Sequence, residues 1–277
     1  MDEQEFERDE QLLEARRLKR LEQRRRRKLQ QRIVLGVLLV ILVLSLVLIV
    51  RGCKSRSAAQ GTEQPGQTAS QPDEAASVVP TEPDTTVTIA AVGDIMMYDE
   101  QLEAAKQADG TYDFTSSFAA VSGTTISADL TVGNLELNFC GEPYSGKPDF
   151  RAPESLAKTL ASIGFDVMQT ANTYSIQNGL SGLKSTIRYL DAAGLSHVGT
   201  YAAPDDKASL GGVLLKNVNG VKVAFFAYTK GLNSLTLPEG EEYAVDVLYT
   251  DYASDFSKIN ESALLDSVNA AKALSPD

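Results

Sequence analysis

The feature that most constrains this chain is residues 33–50, IVLGVLLVILVLSLVLIV, a run of eighteen residues without a charge. At about 1.5 Å of rise per residue, a helix of that length spans roughly 27 Å, which matches a bilayer core. Whatever else folds must therefore fold on one side of this run or the other. Arg32 and Arg51 bracket it. Residues 1–32 carry 11 Lys/Arg against 8 Asp/Glu, and the other residues carry 15 against 29. The positive-inside rule then places residues 1–32 in the cytoplasm as a charged helical segment and everything after Arg51 outside the cell membrane. The competing reading is a cleaved signal peptide with Ser57-Ala58-Ala59 as its site; the length of the apolar run favours an uncleaved single-pass anchor.

Residues 51–86 read as a disordered linker. Ser, Gln, Thr, Glu and the prolines Pro65, Pro72, Pro80 and Pro83 leave little to bury. The two cysteines, Cys53 and Cys140, are too few for a disulfide framework. A formal net charge of −11 argues against nucleic acid as a partner.

Residues 87–277 are the size of one domain, in which strand and helix patterns alternate. Residues 87–92 read as a short buried strand that leaves through a turn at Gly93 and Asp94. Asp94 either sits at a functional strand end or caps a helix over 99–108. A second strand is expected over 129–132, running into Gly133-Asn134-Leu135-Glu136. A helix over 154–163 presents Leu156, Leu160 and Ile163 on one face. A strand over 165–170 precedes the turn 171–179, and a helix over 181–193 presents Leu183, Ile187 and Leu190. A short strand over 196–199 completes the βαβ pattern. Asn219-Gly220 between two apolar runs, 213–218 and 221–228, is a strong hairpin signal. A last helix is expected over 257–274. Ser275-Pro276-Asp277 resembles a helix-to-strand turn, so the α/β domain reads as C-terminally incomplete.

Three strand ends carry polar groups: Asp94, then Asn134 and Glu136, then Asn172 to Tyr174. Neighbouring strands would bring them to one sheet edge. Two carboxylates with amide oxygens are hard donors suited to Mg²⁺, Mn²⁺ or Ca²⁺. The same groups equally suit a hydrogen-bonded turn cluster without a metal.

The segments VGDIMM at 92–97, VGNLE at 132–136, FRAP at 150–153, GFDVMQTAN at 164–172 and NGLSGLKSTIRYLDAAGLSHVGT at 178–200 occur in an order that resembles the CapA family of poly-γ-glutamate capsule biosynthesis proteins. That family's domain is similar to the calcineurin-like metallophosphoesterases. The resemblance implies a metallophosphoesterase-like α/β sandwich. It also implies a role in synthesis or export of a capsular polymer such as poly-γ-glutamate, with membrane export subunits and the anionic polymer as partners. It implies Asp94, Glu136 and Asn134 at metal positions. Phe150, Arg151 and Pro153, with Asn172, Tyr174 and Gln177, fall at substrate-binding positions. The family pattern Ala-Asn-Asn-His followed by Asp is here Ala171-Asn172-Thr173-Tyr174 and Gln177. Two-metal hydrolysis ordinarily uses imidazole ligands, and the chain's one histidine, His197, matches no ligand position. Three readings follow: a CapA-like protein with a weak oxygen-ligated cation, a non-catalytic polymer- or partner-binding scaffold, and a divalent-metal phosphoesterase.

Overall fold

A computed structural model describes residues 85–277. The expected charged segment 1–32, the span 33–50 and all but the end of the linker 51–86 lie outside the described residues. Among the described residues no helix is long and apolar enough to cross a membrane.

The four-stranded sheet is parallel throughout, in the order β1-β2-β3-β4, with β1 Ile89–Ile95, β2 Leu130–Leu135, β3 Val167–Gln169 and β4 Ser196–Val198. Parallel neighbours require crossover connections, and helices supply them. Helix α1 is Asp99–Ala105, and α2, Ala119–Ser127, follows a single 3₁₀ turn. Helix α3, Ser155–Ser162, and α4, Gly179–Ala192, join β2 to β3 and β3 to β4. The short α5 is Pro204–Leu210. An antiparallel hairpin, β5 Leu214–Val218 and β6 Val221–Phe225, stands apart from the sheet's hydrogen-bond ladder, and α6 is Glu261–Ala273. This mixed α/β arrangement around a parallel sheet fits a metallophosphoesterase-like fold.

Side-chain alternation sorts the sheet into two faces. Leu135 and Met168 pack with Leu156 and Leu160 of α3 and Leu190 of α4. Leu130, Val167 and Val198 face the other way, against Leu214, Val218 and Phe225 of the hairpin. The expected helix stripes are the buried ones: Leu156, Leu160 and Ile163, and Leu183, Ile187 and Leu190, are each at most 6% exposed. The hairpin turns at Asn219 and Gly220, both with positive φ, 57° and 92°, the backbone a two-residue hairpin requires.

Three expectations need correction. Strand β1 is not buried before its last residue: Ile89 is 44% and Val92 39% exposed, because β1 is the sheet's edge, and only Ile95 enters the core. Gly93 makes no turn; it lies inside β1, where the register shifts between Val92 and Asp94. Helix α1 ends at Ala105 rather than 108, and Gln101 Oε1 accepts from the Tyr98 amide at its start, so Asp94 is not its cap. Helices α2 and α5 are additional to the expected elements.

A buried polar cluster fastens the end of the β4 region. Asp246, 2% exposed, takes the Lys207 ammonium at 2.6 Å and the Tyr201 hydroxyl at 2.6 Å. Burial raises the Asp246 pKa, opposed by these two partners, and it pushes the Tyr201 hydroxyl up as well.

Candidate functional site

The site begins with the bulge in β1. Val92 pairs with Gly133 and Asp94 with Asn134, leaving Gly93 as an extra residue. Successive residues of a strand point to opposite faces, so one inserted residue reverses the alternation after it. The insertion puts Asp94 beside Asn134, on the face that carries Leu130 and Val132 rather than on the helix side.

Asn134 then joins the two acids. Its Nδ2 donates to Asp94 Oδ1 at 2.7 Å and to Glu136 Oε2 at 3.0 Å. Glu136 is 9% exposed, whereas Asp94 is open to solvent. Burial raises the Glu136 pKa, the Asp94 charge raises it further, and hydrogen bonds from Asn134 and Thr173 work against the rise. Two like charges in one place resist joint ionisation, and a bound cation is one way to relieve that.

The third strand end holds the bridge in place. Asn172, 6% exposed, donates through Nδ2 to Asn134 Oδ1 at 3.1 Å and to the Leu135 carbonyl at 2.8 Å. Its own Oδ1 accepts from the Tyr174 amide at 3.1 Å. The Ser175 hydroxyl accepts from the Asn172 amide at 2.8 Å and lies 2.7 Å from the Thr170 carbonyl. The segment Asn172-Thr173-Tyr174-Ser175 is thus a tight turn that aims one amide at Asn134. Thr173, which the sequence places at this strand end, and Ser175, to which it assigns nothing, both belong to this arrangement. Their signal was position alone, one and three residues past Asn172.

The structure separates the expected substrate positions by depth. Phe150 is 1% exposed, and its ring meets Tyr98 at 5.2 Å and Tyr174 at 4.7 Å, both edge-on. Pro153 is buried as well. Both side chains are therefore closed to a ligand, and only Tyr174 ties Phe150 to the turn that carries Asn172. Arg151 is half-buried, and its Nε donates to Asn178 Oδ1 at 3.2 Å. Gln177 accepts from Asn233 Nδ2 at 2.9 Å, which fastens the turn to a later loop. Tyr174 and Gln177 remain partly open.

The donor set fits one hard cation held weakly. Asp94 and Glu136 offer carboxylate oxygens at one place, while Asn134 presents its amide nitrogen to both and so acts as a bridge. No group of three or more His, Cys, Asp or Glu side chains suited to a metal ion occurs among the described residues. His197 lies on β4 beside Asp191, with its Nε2 3.8 Å from Asp191 Oδ1.

A parallel sheet with helices against one face and an acidic cluster at its rim defines an α/β protein with a strand-end polar site. The sequence profile of the family described as Bacterial capsule synthesis protein PGA_cap matches residues 88–277, and the chain belongs to that family. The Capsule biosynthesis protein CapA of Bacillus anthracis is 30% identical over 149 residues, covering 52% of this chain and 34% of that protein. The PGA biosynthesis protein CapA of Bacillus subtilis (strain 168) is 27% identical over 158 residues, covering 54% and 39%. An uncharacterized protein, y4sH, of Sinorhizobium fredii (strain NBRC 101917 / NGR234) is 31% identical over 121 residues, covering 40% and 24%. The matched region thus spans between 24% and 39% of the length of these relatives.

Proposed function

We propose that this chain takes part in the synthesis or export of a capsular polymer such as poly-γ-glutamate at the outer face of the cell membrane. In this reading residues 33–50 anchor it, residues 1–32 stay in the cytoplasm and residues 51–86 tether a metallophosphoesterase-like sandwich that begins near residue 87. The anionic polymer and the membrane subunits that make or export it are its partners. Family membership and the Bacillus anthracis relative's name support the pathway, and the Bacillus subtilis relative's name supports the polymer class.

The observation that carries the site is the Asp94–Asn134–Glu136 bridge, with contacts of 2.7 and 3.0 Å. Asp94 and Glu136 would hold a single Mg²⁺ or Mn²⁺, and Asn134, kept in place by Asn172, would set their spacing. When bound, such an ion supplies Lewis-acid polarisation of a phosphoryl or acyl oxygen. In this reading the partly exposed Tyr174, Gln177 and Arg151 contact the substrate. A second reading, a polymer- or partner-binding scaffold without catalysis, is favoured by one observation: Asn134 already neutralises part of the acids' repulsion by donating to both.

Calorimetric titration of the full chain with MnCl₂ and MgCl₂ separates the two. Saturable heat that Asp94→Ala and Glu136→Gln each abolish, with melting temperatures retained, supports the cation. Absence of heat with both metals leaves the scaffold. Deletion of the gene without change in the amount or length of surface polymer would overturn the pathway in either form.

A further inference from the structure

A concavity lies at β4, the edge of the sheet opposite β1. It encloses about 330 Å³ between α4, β4, α5 and the start of β5. Ile187, Val198 and Leu214 give it an apolar lining, and Asp191, Asp206 and His197 give it polar groups. The volume is far larger than a metal ion requires and suits a small organic molecule.

Its charge has one sign. Asp191 projects from α4, with its side chain 62% exposed, and Asp206 projects from the first turn of α5. Asp206 Oδ2 accepts from the Ala203 amide at 2.8 Å, which fixes that carboxylate. The nearest lysine in sequence, Lys207, is committed to Asp246, and Lys216 of β5 donates to Ser196 Oγ at 2.6 Å. Burial lowers the His197 pKa, which disfavours its imidazolium. Burial raises the Asp191 pKa, and the Asp206 charge adds to the rise. A cation placed between them would be favoured by both.

We propose that this pocket binds a compact organic cation, a primary ammonium or guanidinium on a short aliphatic stem. The stem lies along Ile187, Val198 and Leu214, and the cationic head meets Asp191 and Asp206 beside the imidazole. The proposal does not depend on the reading of Asp94 and Glu136. Acidification works against binding, because the imidazolium of His197 then takes the place of the ligand's charge. The groups that face His197 are Asp191 from α4, Asp206 from α5 and the Thr200 backbone.

The chain's single histidine makes the test direct, since His197 is the sole source of imidazole resonances. The full chain is titrated with 1,4-diaminobutane at constant ionic strength while the His197 ring protons are followed by NMR. 1,4-Butanediol serves as the uncharged control. The expected result is a saturable shift with the diamine, none with the diol, and at least tenfold weaker binding in Asp191→Asn and Asp206→Asn. Both substitutions lie at exposed positions, and unchanged melting temperatures report that the fold is kept. A non-saturating diamine response, an equal response to the diol, or two variants that bind like the parent would each overturn the proposal.

Discussion

Gly133 shows how much one missing side chain can decide. A methyl group there would stand 2.7 Å from the Phe165 ring and 3.0 Å from Ile95 Cδ1. Gly133→Ala is expected to lower stability by about 1–3 kcal/mol through overpacking, read as a fall in the urea midpoint at unchanged slope. The Gly in VGNLE is thus a packing requirement that holds β1 against β2 beside Asn134. Asn172 is equally specific. Asn172→Ala removes donors to Asn134 and to the Leu135 carbonyl, and leaving those acceptors unmade is expected to cost about 1–3 kcal/mol. Asn172→Asp keeps the volume but takes away the donor, and it should lose comparable stability when both are compared by chemical unfolding at neutral pH. That the acids share a rim could be read from the sequence, because strand ends in a parallel sheet meet at one edge. The direction of the bonds could not. Nothing in Asn134-Leu135-Glu136 tells that the amide nitrogen, rather than its oxygen, faces the carboxylates.

Elements with a strong local signal were the readable ones. Asn219-Gly220 marks its hairpin because few other residue pairs adopt two successive positive φ values. The stripes of α3 and α4 mark those helices because burial on one face needs a helical period. Helix α2 gives no such signal: its AAVSGTTIS buries only Thr125 and leaves Val121 46% exposed. Helix α5 is short, and its cues, Pro204 at the first turn followed by Asp205 and Asp206, are easily taken for a loop. The loop between β6 and α6 carries a compact turn of its own. Asp251 accepts from the Ser257 hydroxyl and from the amides of Ser257 and Lys258, which hold its carboxyl down to about 2. A carboxylate with a lowered pKa stabilises the fold above its unfolded-state value of about 4 and loses that contribution as pH falls toward 2. Asp251→Asn should therefore flatten the fall of stability between about pH 4 and pH 2, followed by urea unfolding at stepped pH, and should leave the slope near pH 7 unchanged.

At the scale of the described domain, sheet order decides which apolar residues stay wet. A sequence can announce a β-branched strand, but its neighbours are fixed by pairing over long separations. Residues 87–92 have the composition of an interior strand, yet β1 stands at the edge. The polar clamp of Tyr201, Lys207 and Asp246 was equally hidden, since its members lie up to 45 residues apart. Asp246→Ala would leave the buried Tyr201 hydroxyl only the longer bond to the Gly212 carbonyl, at 3.2 Å, and free the Lys207 ammonium. The expected loss is about 1–3 kcal/mol, with hydrogen exchange rising together in α5 and at the Thr200 and Val245 backbone, which pair as a bridge.

The bulge in β1 makes the rim a matter of parity. A methyl group at residue 93 would meet nothing within 4 Å, so Gly93→Ala should melt close to the parent protein. Deleting that residue is another matter, for an even count would swing the carboxylate of position 94 toward Leu135, Phe165 and Met168 and push Ile95 out into water. One omitted amino acid should thus do more damage than any side chain grafted onto the same spot, and paired thermal melts of the two variants would show the difference.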